Sequence, residues 1–189
     1  MTTPARTFLE LGKILSEREL IYVADGLLCH HKHRAGSETP LVTREELKAY
    51  LKTKHRIRGL RRCRYAVDMA VDGSDSWKET ELRLLLDDYG IRNLVANKPL
   101  GDGAGNIWVE PDLADEKNRI SIQYEGGHHA ERVQMVRDRR RRERTEALGW
   151  VEVRVFAEDL RELVDYKGQS VPRVVAMVKA ARDLRLSLI

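Results

Sequence analysis

The stretch 106–125, NIWVEPDLADEKNRISIQYE, limits the folds open to this chain more narrowly than any other. Ile107, Val109 and Pro111 alternate with Trp108, Glu110 and Asp112, and Ile120, Ile122 and Tyr124 alternate with Ser121, Gln123 and Glu125. A period of two is the mark of a half-buried strand, and DEKN between the two runs supplies turn residues. The pattern predicts an antiparallel hairpin with Asp112 opposite Gln123 and with Glu125 on the same face. Three oxygen-bearing side chains then converge. Such donors suit a hard divalent cation, Mg²⁺ or Mn²⁺, which can bind a phosphate oxygen and lower the pKa of a bound water.

The neighbouring segments extend this reading. SWKETELRLLLDDYG predicts a helix capped by Ser76, with Glu79 at the capping-box position and Gly90 as its stop. LVANKPL reads as a strand, separated from the hairpin by GDGAG. After Gly126, Gly127, His128 and His129, a long helix is expected over 130–148, ended by Gly149, and WVEVRVF reads as a further strand. Two more helices are expected, near 158–163 and 172–184. The first third looks helical: Ser16 precedes apolar residues at helical spacing, Thr43 and Glu46 form a second capping box, and IRGLRRCRYAVDMAV continues to Gly73. The expected fold is therefore α/β (α+β), with a helical region over 1–73 and an α/β domain over 74–189.

Charge is unevenly distributed. Residues 1–73 hold 14 Lys/Arg against 9 Asp/Glu, 74–129 hold 6 against 11, and 130–189 hold 14 against 10. An acidic middle between basic flanks fits carboxylates gathered for metal and arginines meeting a polyanion. Two arginine clusters stand out, RIRGLRRCR with Arg56, Arg58, Arg61, Arg62 and Arg64, and RDRRRRER with Arg137, Arg140 and Arg141. The first has no acid and favours contact with a nucleic-acid backbone. In the second, local acids offer intrahelical partners, among them Asp138 three residues before Arg141. No run reaches the ~20 apolar residues of a membrane span, and the first residues lack signal-peptide character, so a cytoplasmic protein without a membrane partner is expected. Cys29 and Cys63 form no CxxC, and CHHKH at 29–33 lacks a second ligand pair, so it reads as a histidine-bearing loop rather than a zinc site.

From SWKETELRLLL to VFAEDL, about half of the chain, the sequence resembles the very-short-patch-repair-like branch of the PD-(D/E)xK nucleases, in particular the small endonuclease-domain proteins of actinobacteria and their phages. The matching residues are Glu79 and Arg83 on the leading helix, Pro111 and Asp112, Tyr124, Glu125 and Gly126, then His129, Asp138, Arg141, Gly149 and Trp150. The helices before it are similar to those of AbiEi-type antitoxin-like proteins. The resemblance implies a restriction-endonuclease-like core and a Mg²⁺-dependent (or Mn²⁺-dependent) DNA endonuclease. In that reading Asp112 is the central metal ligand, Gln123 and Glu125 complete the metal set, Glu79 assists, His129 handles the proton or the phosphate, and Asp138 orients His129. Relatives carry Glu at position 123. The amide here leaves a second reading open, a DNA- or protein-binding module of nuclease descent that no longer cuts and acts in a toxin–antitoxin or phage–host system. Glu79 also has a purely local reading, as a capping-box carboxylate at a helix N-terminus.

Overall fold

Helix-start chemistry organises the first part of the chain, and strand alternation the second. The computed structural model describes residues 2–30, 39–102, 104, 106–126 and 132–187, with 132–138 given by backbone alone. It is a mixed α/β structure in two compact units, Met1–Glu81 and Leu82–Ile189. No helix among the described residues is long and apolar enough to cross a membrane.

In the first unit, α1 (Pro4–Leu11), α2 (Glu17–Leu28), α3 (Arg44–Lys52) and α4 (Leu60–Met69) precede the start of α5 (Trp77–Asp88). Ser16 with Glu19 and Thr43 with Glu46 form complete capping boxes at the starts of α2 and α3. Phe8, Leu20, Leu47, Leu51 and Val67 are buried. The helices close on one another at two glycines. Gly59 caps α4 in the left-handed region (φ 84), and a Cβ there would stand 2.0 Å from the Gly12 carbonyl oxygen. A Cβ on Gly12 would stand 2.3 Å from Cys63 Sγ.

In the second unit, β1 (Val95–Ala96), β4 (Leu113–Asp115), β5 (Ile120–Tyr124) and β6 (Val151–Val155) form a sheet of order β1-β4-β5-β6. β4 and β5 are antiparallel, with Leu113 opposite Ile122 and Asp115 opposite Ile120. β5 and β6 are parallel, joined through α6 (Arg132–Ala147). Leu113, Ile120, Ile122, Val153 and Val155 form one face, packed with Leu82 and Leu86 of α5 and with Val174, Val175 and Val178 of α7 (Arg173–Leu186). The other face carries Ser121, Gln123, Glu152 and Arg154 beneath α6.

Three expectations need correction. The run NIWVEPDLA is not one strand: β3 (Ile107–Val109) pairs with β2 (Leu100–Gly101), and β4 begins only after Pro111. Proline has no N–H to give a ladder, so the chain changes sheets there. LVANKPL likewise splits into β1 and β2 around Asn97, which has positive φ, and Pro99. The helix expected at 158–163 is a 3-10 turn, Glu158–Leu160, followed by a hairpin of β7 (Leu163–Tyr166) and β8 (Gln169–Pro172). Lys167 and Gly168, both with positive φ, form its two-residue turn.

The glycine contact yields a paired prediction. Gly59→Ala forces a side chain into positive φ and against backbone, and should cost the first unit about 2 kcal/mol or more. Gly26→Ala, in α2 with nothing within 4 Å of its Cβ, should be neutral or add up to about 1 kcal/mol. Urea denaturation of both variants reads the difference, and equal midpoints contradict the packing described.

Candidate functional site

The β4–β5 register continues one step beyond its last ladder pair. With Leu113 opposite Ile122, Asp112 lies beside Gln123, on the same sheet face. Its Oδ2 accepts a hydrogen bond from the Tyr124 N–H at 2.6 Å, and its carbonyl accepts one from Asn97 N–H at 3.2 Å. Both contacts fix the carboxylate at the strand entry. Tyr124 packs against the apolar core, as the alternation requires, so Gln123 and Glu125 share the opposite face. Both are half-buried. Glu125 N–H donates to the Val155 carbonyl at 2.7 Å, extending the parallel pairing to the end of β5.

Glu125 is held by two arginines. Arg141 Nη2 of α6 donates to Glu125 Oε1 at 2.5 Å, and Arg154 Nε of β6 donates to the same oxygen at 3.2 Å. Arg154 is the register partner of Gln123. Arg141 also faces Glu152, whose Oε2 lies 3.6 Å from its Nε. Burial works against the charge on Arg141, but the hydrogen bond to Glu125 and the charge of Glu152 outweigh it and raise its pKa above the usual arginine value. Arg154 and Glu152 carry no weight in the sequence reading. Their signal is the alternation of Glu152 and Arg154 with Val151, Val153 and Val155, which puts both charges on the polar face once the parallel register is fixed.

Glu79 starts α5. Its carboxylate accepts from Asp75 N–H and from Ser76 Oγ, both at 2.8 Å, and Glu79 N–H reaches Ser76 Oγ at 3.3 Å. This is the local capping role, and it belongs to the first unit, whereas Asp112, Gln123 and Glu125 belong to the second. His128 and His129 lie outside the described residues, as do the side chains of Arg137 and Asp138. Among the described residues, no three His, Cys, Asp or Glu are arranged as a metal-binding group. Asp112 and the Gln123 amide are the oxygen donors that the hairpin brings together, and one or two protein ligands are what Mg²⁺ commonly takes beside water and phosphate. Cys29 is buried and donates to Asp75 Oδ1 at 3.2 Å. Burial, then Asp75 and the charges of Glu79 and Asp25, push its thiol up to about 12, so it stays protonated. His31 and His33 lie outside the described residues.

The arginine clusters separate by partner. Arg62 donates to the carbonyls of Leu15 and Gly12, just beyond α1, at 2.8 and 2.7 Å. Arg64 donates to those of Leu51 and Lys54, at the end of α3, at 2.9 and 3.1 Å. Both therefore close helix ends, where carbonyls lack partners. Arg56, Arg58 and Arg61 are exposed. On α6, Arg139 and Arg142 pair with Glu143 and Glu146 one turn on, Arg141 turns inward, and Arg140 is exposed.

Two curated proteins, from two strains of Mycobacterium tuberculosis and both described as uncharacterized, are 26% identical to this chain over 161 residues, covering 85% of it. The chain spans little more than half of their length, 56%. No protein-family model matches the chain, and no solved structure matches it.

Proposed function

We propose that the second unit is a PD-(D/E)xK-type, Mg²⁺-dependent DNA endonuclease domain with a restriction-endonuclease-like core, and that the first unit helps to grip nucleic acid. The observation that carries this reading is the placement of Asp112 beside Gln123 on a sheet built in the order helix, antiparallel hairpin, helix, parallel strand. Asp112 and the Gln123 carbonyl oxygen would hold the cation, and Glu125 would join them once released from its arginines. The donor set fits a hard cation, since every candidate atom is oxygen. When bound, the metal supplies Lewis-acid stabilisation of a phosphate oxygen and an acidified water. Arg154 orients the polar face beside Gln123, and His129 is the group proposed to move the proton. The second reading, a binding module that no longer cuts, is favoured by one observation: Glu125 is committed to Arg141 and Arg154, and its neighbour on the face is an uncharged amide.

Incubating the full chain with plasmid, single-stranded and mismatched DNA in Mg²⁺ or Mn²⁺, beside Asp112→Ala, separates the two. Cutting by the parent and not by the variant is expected; the same absence of cuts in both removes the nuclease reading and leaves the binding module. Gln123→Glu restores the carboxylate that relatives carry and should keep or raise the rate, whereas complete loss would assign the amide another task.

The grip is tested by salt dependence. Arg56→Ala, Arg58→Ala and Arg61→Ala should each lower the slope of log affinity against log salt by roughly 0.9 for a duplex with little change in stability. Arg62→Ala should leave the slope unchanged and lower the urea midpoint, because it uncaps α1. The opposite assignment of effects contradicts the sorting.

A further inference from the structure

The turn between β4 and β5 lies at the end of the hairpin opposite to Asp112 and Gln123, and it carries a recess that the metal reading does not use. Lys117, Asn118, Arg119, Arg185 and Leu186 line this recess, whose volume is 250 Å³. Three of the five side chains are cationic, and among the described residues no acid lines it. Lys117, Asn118 and Leu186 also line a larger recess of 570 Å³. Both acids described there are already matched, Asp115 by Arg182 and Asn118, and Glu116 by Lys98.

Arg185 is held in place before any ligand arrives. Its Nε donates to the Asn118 carbonyl at 3.1 Å and its Nη2 to the Gly149 carbonyl at 2.8 Å. Carbonyl oxygens orient a guanidinium without cancelling its charge. Arg119 brings its guanidinium to the same glycine, since a Cβ on Gly149 would stand 3.5 Å from Arg119 Nη1. The Arg119 backbone has φ 51, in the left-handed region that glycine occupies at lower cost. Its N–H donates to the Glu116 carbonyl and its carbonyl accepts from Val151 N–H, so the turn and the start of β6 impose that conformation. An arginine where glycine would fit better is an outlier that folding does not account for. Lys117 is exposed beside it, and neither side chain makes an ion pair among the described residues.

We infer that the recess at the β4–β5 turn binds a phosphate group, held by Arg119, Arg185 and Lys117. Two guanidiniums that converge on one glycine offer planar donor forks to phosphate oxygens, and the lysine adds a point charge at the rim. Arg185 is half-buried, so water screens its attraction for an anion less than at a fully exposed arginine. Leu186 gives the concave wall an apolar contact for the group that bears the phosphate. The ligand is a phosphate ester, either free or within a nucleic-acid strand. The site does not rest on the metal reading, because none of its residues touches Asp112 or Gln123 and no cation takes part in it.

The test is calorimetric titration of the full chain with pyrophosphate, in EDTA and at constant ionic strength, with melting temperature as the check on folding. Lys117→Ala and Arg119→Gly should each weaken binding about tenfold, the scale of one charge-assisted hydrogen bond. Arg119→Gly should do so while keeping or raising the melting temperature, because glycine relieves the positive φ. A side chain with a structural role alone would move stability and leave binding as it was. Arg161→Ala removes an exposed arginine beyond the other end of β6 and should leave binding unchanged. Absence of pyrophosphate binding by the parent, unchanged binding in Lys117→Ala and Arg119→Gly, or equal weakening in all three variants overturns the inference. Fluorescence anisotropy with a short single-stranded oligonucleotide then identifies the source, and either result keeps the site. Parallel weakening by Lys117→Ala and Arg119→Gly assigns a strand phosphate, whereas weakening confined to pyrophosphate assigns a free phosphate ligand.

Discussion

The seat of α6 on the sheet depends on the part-buried ion-pair group of Glu125, Arg141, Glu152 and Arg154. From residue 139 to residue 147 this helix reads RRRRERTEA, and Thr145 is the buried member of that run. Among the described side chains of this helix, polar contacts rather than apolar burial reach the sheet. Arg141 and Thr145 reach down to Glu125 and Glu152 on a strand face that is polar where the opposite face is Val and Ile. Burying charge is costly, and the attraction repays it only when each member has its partner. The same group therefore holds the helix and ties up Glu125, which shares a sheet face with Gln123. Structure and site chemistry share one set of contacts.

Arginine elsewhere in the chain follows a related logic. Arg44 donates to the carbonyls of Val67 and Ala70 at the end of α4, Arg62 and Arg64 serve α1 and α3, and Arg185 donates to Gly149 beyond α6 and to Asn118 in the β4–β5 turn. A guanidinium with several fixed donors suits the unpaired carbonyls at a helix end. The formal charge of +4 thus overstates how much arginine stands ready for phosphate. Within the 56–64 cluster, Arg56, Arg58 and Arg61 are exposed and have no such carbonyl partner among the described residues.

What could be read from the sequence follows the range of the forces involved. Capping boxes at Ser16 and Thr43 are contacts across three residues, and the alternation of 120–125 fixes which side chains share a face, so the Asp112–Gln123 neighbourhood was legible from the hairpin alone. Pro111 carried its own warning, since a residue without an N–H ends a ladder, yet alternation continued through it and masked the change of sheet. The β7–β8 hairpin was signalled by LVDY and QSVP around Lys167-Gly168, a pattern obscured by the preceding helical turn. The commitments of Arg62, Arg64, Arg141 and Arg154 were not legible. They depend on partners 10 to 50 residues away in the chain and on a parallel register that no local pattern specifies. The contacts of Arg141 with Glu125 and Glu152 on the sheet leave no mark in the helix pattern, and the Asp138 side chain, its expected neighbour one turn back, lies outside the described residues.

The account's central claim is that Asp112 and Gln123 share a cation that Glu125 joins by leaving its arginines. The most direct measurement is an anomalous difference map from crystals of the full chain grown with Mn²⁺ and a short DNA duplex. The account predicts a peak beside Asp112 and Gln123, with Glu125 turned away from Arg141. A map without a peak at that face, and with Glu125 still on both arginines, contradicts it.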